Sequence, residues 1–141
     1  MIMLESFRFH HIGVAVKSIE KTAQAYELVG FARSKRTFDP IQNVNICWLA
    51  REGMPLLELV EPMDGDSPVY QTLGKNEAVS YHTCYEIDNL DFAVEELREM
   101  HYVQVSEIEK APAIHNSRIC FLFHKNVGLI ELVEAPAPIV E

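Results

Sequence analysis

Leu57-Glu58-Leu59-Val60-Glu61-Pro62 returns near the C-terminus as Ile130-Glu131-Leu132-Val133-Glu134, with Pro136 close behind. Each copy sets an acid inside an apolar strand. Alternate side chains of an extended strand share a face, so Glu58 lies with Val60, Glu131 lies with Leu129 and Val133, and Glu61 and Glu134 point to the opposite side. A carboxylate whose neighbours on its own face are apolar is costly unless something pairs with it.

The same repeat picks out two histidines. His11 opens Ile12-Gly13-Val14-Ala15-Val16, and His82 opens Thr83-Cys84-Tyr85-Glu86-Ile87. Each run leads into a helix start, with Val16-Lys17-Ser18-Ile19-Glu20 overlaying Ile87-Asp88-Asn89-Leu90-Asp91. The histidines are 71 residues apart and the glutamates 73. Two half-domains related by a pseudo-twofold axis would bring His11, Glu58, His82 and Glu131 to one point. Two imidazoles and two carboxylates suit one divalent first-row metal ion, and zinc, cobalt, nickel and manganese all fit that donor set.

With 141 residues, 48% of them apolar, the chain has enough sequence for one domain whose core two half-repeats share. The half-repeats run over about 7–62 and 78–135, with a linker at 63–77. A net charge of −9 argues against nucleic acid as a partner, since phosphate backbones are met by basic faces. Cys47, Cys84 and Cys120 are odd in number and each sits in a strand-like run, the usage of reduced core thiols. Met1 to Ser6 lacks the basic and apolar regions of a signal peptide, and no run approaches the roughly 18 apolar residues of a membrane span, so a cytoplasmic protein with no membrane partner is expected. The Ala-Pro-Ala-Pro stretch from Ala135 to Pro138 reads as an extended, poorly ordered end.

In chain order, Phe7 to Val16 reads as a strand. Ser18 caps a helix from Ile19 to Val29 that Gly30 ends, and Phe31–Phe38, Val44–Ala50 and Pro55–Glu61 give three strands. In the linker, Asp66 or Ser67 caps a short helix with Pro68 in its first turn, ending at Gly74. Val79 to Ile87 is the second leading strand, and Asn89 caps a helix from Leu90 to about Met100. Tyr102–Ile108, Ser117–Phe123 and Val127–Glu134 complete the set. The expected architecture is α+β: paired βαβββ modules forming a cupped mixed sheet with helices on the outside.

This pattern resembles the vicinal oxygen chelate superfamily. Within it, the chain is most similar to the methylmalonyl-CoA epimerase and glyoxalase-like branch, through His-Ile-Gly-Val-Ala-Val from His11, Leu-Glu-Leu-Val-Glu-Pro from Leu57, Asp66-Ser67-Pro68-Val69, and Tyr81-His82 leading to Ile87-Asp88-Asn89. The resemblance implies metal ligation by His11, Glu58, His82 and Glu131. It also implies a small-molecule substrate, with an acyl-CoA in view, and a homodimer. Two departures stand out. Some bacterial epimerases carry a further acid about where this chain has Asn45, and a glycine-rich loop where it has Lys110 to Asn116.

The chemistry that follows is removal of a proton α to a ketone or thioester, with Glu131 and Glu58 as bases serving opposite faces of the carbon. Epimerisation and glyoxalase-type isomerisation both satisfy it. A ring-cleaving dioxygenase uses two histidines and one carboxylate around Fe(II), which leaves Glu58 unexplained. A metal-free binding or resistance protein leaves the whole ligand set unexplained. Among the remaining residues, His10 is expected to face away from His11, and His101, His115 and His124 to be solvated or structural. Glu61 and Glu134 read as rim positions. Tyr81, Tyr85, Trp48 and Phe121 are pocket or core aromatics. The basic run Arg33-Ser34-Lys35-Arg36 could meet an anionic tail or blunt an edge strand, and the helix start at Asp66 to Pro68 could present N–H groups to an anion.

Overall fold

The computed structural model describes Leu4 and residues 6–141. The reading of the N-terminal stretch as free of a signal peptide falls mostly outside those residues. The elements run β1 (Arg8–Val16), α1 (Ile19–Glu27), β2 (Ala32–Arg33), β3 (Thr37–Asp39), β4 (Val44–Ala50), β5 (Leu57–Pro62), α2 (Pro68–Leu73), β6 (Ala78–Ile87), α3 (Leu90–Glu99), β7 (Val103–Gln104), β8 (Glu109–Ala111), a 3-10 turn (Pro112–Ile114), β9 (Ser117–His124) and β10 (Gly128–Glu134). The ten strands form one sheet with a central path β2-β4-β5-β1-β6-β10-β9-β7, β3 pairing β4 and β8 pairing β9.

The order is a palindrome of the two repeats. β1 pairs β5 in parallel, β6 pairs β10 in parallel, and β1 and β6 meet antiparallel at the centre. That central pairing joins the half-repeats. Helices α1 and α3 cover one face, over Val14, Val16, Cys47, Leu49 and Leu59 in the first half and Cys120, Leu122, Ile130 and Leu132 in the second. The other, inner face carries Ala15, Ile46, Trp48, Val60, Cys84, Ile119 and Val133, with Val69 and Leu73 of α2 packed on it. The three cysteines are free and buried.

The helix caps are those the sequence marks. Ser18 Oγ accepts from Lys21 N and the Asn89 side chain accepts from Phe92 N. Ser67 Oγ accepts from Val69 N and donates to the Gln42 carbonyl, which ties α2 to the β3–β4 turn. Glu61 and Glu134 do more than face the rim. Glu61 Oε2 accepts from Ile19 N at 2.9 Å, and Glu134 Oε2 accepts from Leu90 N at 3.0 Å. The outward acid of each repeated stretch therefore satisfies a free N–H at the start of its own module's helix.

Three expectations need correction. The strand expected over Phe31–Phe38 is broken into β2 and β3, because Ser34 turns into the sheet: Trp48 N donates to Ser34 Oγ at 2.8 Å. The strand expected over Tyr102–Ile108 is broken in the same place of its module, with Phe121 N donating to Ser106 Oγ at 2.9 Å. The C-terminal stretch is a strap and not a loose end. Ala137 is buried on the inner face, Ser117 Oγ donates to the Pro136 carbonyl, and Val140 N donates to the Ala113 carbonyl.

Candidate metal centre

Each of the four residues singled out by the repeat comes from a different strand: His11 from β1, Glu58 from β5, His82 from β6 and Glu131 from β10. These are the four central strands of the sheet, and the parallel pairing sets Gly13 beside Glu58 and Cys84 beside Glu131. All four side chains point to the inner face and are buried. His11 Nε2 lies 3.2 Å from His82 Nε2, 3.3 Å from Glu58 Oε1 and 3.1 Å from Glu131 Oε1. His82 Nε2 lies 3.5 Å from Glu58 Oε1 and 3.2 Å from Glu131 Oε1.

Four donor atoms so close are mutually awkward without a cation among them. Glu131 Oε1 is buried and has no hydrogen-bond partner among the described residues, since its contacts with the imidazoles have ion-pair distances without hydrogen-bond geometry. Ligands about 2.1 Å from one ion stand about 3 Å apart at right angles and about 3.4 Å apart at tetrahedral angles, which spans the 3.1 to 3.5 Å found. The residues fit a divalent ion by donor type, burial and separation. Electrostatics agree: burial would lower the basicity of His11, but Glu58 and Glu131 outweigh it and raise its pKa to about 9. For Glu131, burial acts upward, and the close imidazoles of His11 and His82 overcome it to hold the carboxyl well below its usual range.

Two β-bulges shape the centre, and alternation alone does not reveal them. On β1 the register steps from Phe9 to His11 while β6 advances by one residue, leaving His10 extra; on β6 it steps from His82 to Ser80 against Gly13 and Val14, leaving Tyr81 extra. A bulge re-aims the added side chain. His10 therefore lies beside His11 and not on the opposite face, its ring 5.0 Å from that of His11 and its Nδ1 2.7 Å from His11 Nδ1. Tyr81 lies beside His82 with ring centroids 4.5 Å apart. Gly13 opens the space for His82: a Cβ there would stand 1.9 Å from His82 Cε1.

A cavity of about 330 Å³ adjoins the centre, walled by Tyr81, Phe121, Leu129 and Val69, with Gln42 and Glu109 as polar members. Phe121 stands edge-on to His82, ring centroids 5.2 Å apart. The four residues do not themselves line this cavity, which reaches them through Tyr81 and Phe121; a larger, shallow groove near Arg98 and Gln104 lies apart, at the end of α3.

The sequence profile of the Glyoxalase/Bleomycin resistance protein/Dioxygenase superfamily matches residues 10–121. The chain belongs to this superfamily. It is 33% identical to human mitochondrial methylmalonyl-CoA epimerase over 132 residues, covering 91% of this chain and 74% of that one. Methylmalonyl-CoA epimerase from Mycobacterium tuberculosis superposes with a TM-score of 0.81 at 27% identity, over 97% of this chain and 94% of that one. A Streptomyces coelicolor methylmalonyl-CoA epimerase variant in complex with 2-nitronate-propionyl-CoA superposes with a TM-score of 0.79 at 26% identity, over 94% of this chain and 100% of that one.

Other residues of this superfamily member fall into structural roles. Trp48 packs edge-on to His11 at 4.9 Å and donates from Nε1 to the Ala113 carbonyl. Tyr85 lies on the helix side, stacked on Phe7. Arg33 is engaged by Glu20 and Glu27, and Arg36 approaches Glu20 and Glu61, so most of the basic run is already neutralised. His101 and His115 are exposed turn residues with positive φ, and His124 Nδ1 accepts from Asn126 N. Asp39 is a buried acid that sequence reading passes over. It accepts from Ile41 N, Gln42 N and Gln42 Nε2, which holds the β3–β4 turn.

Proposed function

We propose that the chain is a metal-dependent epimerase that removes and returns a proton α to the thioester of an acyl-CoA, with methylmalonyl-CoA as the first substrate to test. The observation that carries this reading is the convergence of two imidazoles and two carboxylates, drawn equally from both half-repeats, beside a largely apolar cavity. Similarity to methylmalonyl-CoA epimerases supports the substrate class, as does a relative's complex with a propionyl-CoA nitronate.

His11, Glu58, His82 and Glu131 would hold the ion, and zinc, cobalt, nickel and manganese all suit them. When bound, such an ion supplies Lewis acidity toward a carbonyl oxygen. Tyr81, Phe121 and Leu129 would enclose the acyl group and keep water from it. Glu131, held as a carboxylate, takes the proton from the α-carbon, and the C–H electron pair passes into the thioester carbonyl. Glu58, from the other half-repeat, delivers a proton drawn from solvent to the opposite face, and Glu131 gives the proton it took back to solvent. The product is the other epimer, and the roles of the two carboxylates reverse when the reaction starts from that epimer.

A homodimer in the cytoplasm is the setting this reading expects, and three free, buried cysteines favour a reducing compartment. Sedimentation of the purified chain tests the dimer. The activity is tested by incubating metal-loaded protein with a single epimer of methylmalonyl-CoA and resolving the products. Approach to an equal mixture supports the proposal. An unchanged epimer in the presence of bound metal rejects this substrate.

A further inference from the structure

His10 makes two short contacts that fix where protons sit next to the centre. Its Nε2 is 2.7 Å from the Ala137 carbonyl oxygen, and its Nδ1 is 2.7 Å from His11 Nδ1. A carbonyl oxygen only accepts, so His10 Nε2 must carry the proton. In a neutral imidazole the other nitrogen then holds a lone pair, so His10 Nδ1 accepts and His11 Nδ1 donates. That leaves the lone pair of a neutral His11 on Nε2, the atom that faces Glu58, Glu131 and His82.

We infer that His10 is a positioning residue: it relays the acceptor character of the Ala137 carbonyl to His11 and fixes His11 as an Nε2 donor to the metal. The relay ties the C-terminal strap to the centre, because Ala137 is held on the inner face by the strap's packing and by the Ser117–Pro136 and Val140–Ala113 hydrogen bonds. The other half-repeat has no counterpart. Its bulge residue is Tyr81, and His82 Nδ1, though buried, has no hydrogen-bond partner among the described residues. One imidazole is therefore oriented through its far nitrogen and the other by packing alone, against Tyr81, Phe121 and the open backbone of Gly13.

The inference rests on the reading of His11 as a ligand, but the proton positions can be tested without metal. Long-range 1H–15N NMR of the metal-free full chain should show His10 as the neutral Nε2–H form, its Nδ1 shifted toward the unprotonated range, and a proton on His11 Nδ1. A His10 that is protonated on Nδ1 would overturn the relay, whatever the protein does with metal. Metal affinity is the second readout. His10→Phe keeps a ring but removes the acceptor, and zinc affinity should fall about 10–100-fold, the usual effect of losing such a partner. His10→Asn keeps an acceptor near Nδ1 and should stay within about threefold of the parent chain. If His10→Phe binds zinc as tightly as the parent, the positioning role is wrong. If the parent chain binds no metal while the proton pattern holds, the ligand assignment fails and the relay stands.

Discussion

His11 Nε2 and His82 Nε2, from opposite half-repeats, stand 3.2 Å apart at the middle of the sheet. Two neutral imidazoles can share that distance through one proton. They cannot also both satisfy Glu58 and Glu131, and a divalent ion satisfies all four. Removing one member should therefore empty the centre. His82→Ala is expected to purify with less than about a tenth of an equivalent of metal, with its far-ultraviolet circular dichroism unchanged. Stoichiometric metal in that variant would refute the assignment.

The glutamates differ in role even though they are equivalent in position. Glu131→Gln should retain metal, since an amide oxygen still ligates, while proton removal from one epimer falls by about 100-fold or more, the usual scale for a lost general base. Glu58→Gln should impair the other epimer in the same way. Starting each variant from each single epimer separates the two, and equal effects on both epimers from both variants would argue against one base per face.

The metal-free protein should show a particular pH dependence of stability. The pKa of His11 rises from 6.5 in the unfolded chain to about 9 in the folded one. Its contribution is therefore complete below about pH 6.5 and is lost as pH rises through 9. The Glu131 carboxyl is held below its ordinary 4.5, so its contribution is present above that value and is lost on acidification. Tm of the apoprotein should peak between these limits and fall toward pH 9. Metal binding near neutral pH should release a proton from His11, measurable as a dependence of binding heat on the buffer's ionisation enthalpy.

Glu61 and Glu134 should matter to stability and not to chemistry. Each accepts from the first N–H of a helix, so Glu61→Ala and Glu134→Ala are each expected to cost about 0.5–2 kcal/mol in urea unfolding. Arg36 and Arg118, their other neighbours, are partly exposed and add little. Epimerisation rates at 25 °C should be unchanged.

These two acids also show where sequence reading stops. The repeated stretches around Glu58 and Glu131 mark two equivalent strands and their inward acids, because period-two alternation is local. Where Glu61 and Glu134 end up depends on how a helix from elsewhere in the module lies across the strand, which alternation does not encode. The bulges at His10 and Tyr81 defeat alternation itself. One extra residue turns a side chain expected outside toward the centre, and nothing in the composition of Phe9-His10-His11 marks it. The breaks at Ser34 and Ser106 are similar in kind: a serine hydroxyl replaces a strand carbonyl as acceptor, legible only once the neighbouring strand is in place. Alternating alanine and proline at 135–138 read as a loose end, whereas the stretch is an anchored strap. Its anchors are backbone groups, which carry no sequence signature.

Metal content and solvent exchange, read on one sample, report together on the four-residue centre and on proton transfer at the α-carbon. Purified protein in deuterium oxide should carry close to one equivalent of divalent metal and incorporate deuterium at the α-carbon of methylmalonyl-CoA, seen by NMR as loss of the α-proton signal and collapse of the methyl doublet. Stoichiometric metal with no deuterium incorporation, under conditions where the substrate is shown to bind, would contradict the account.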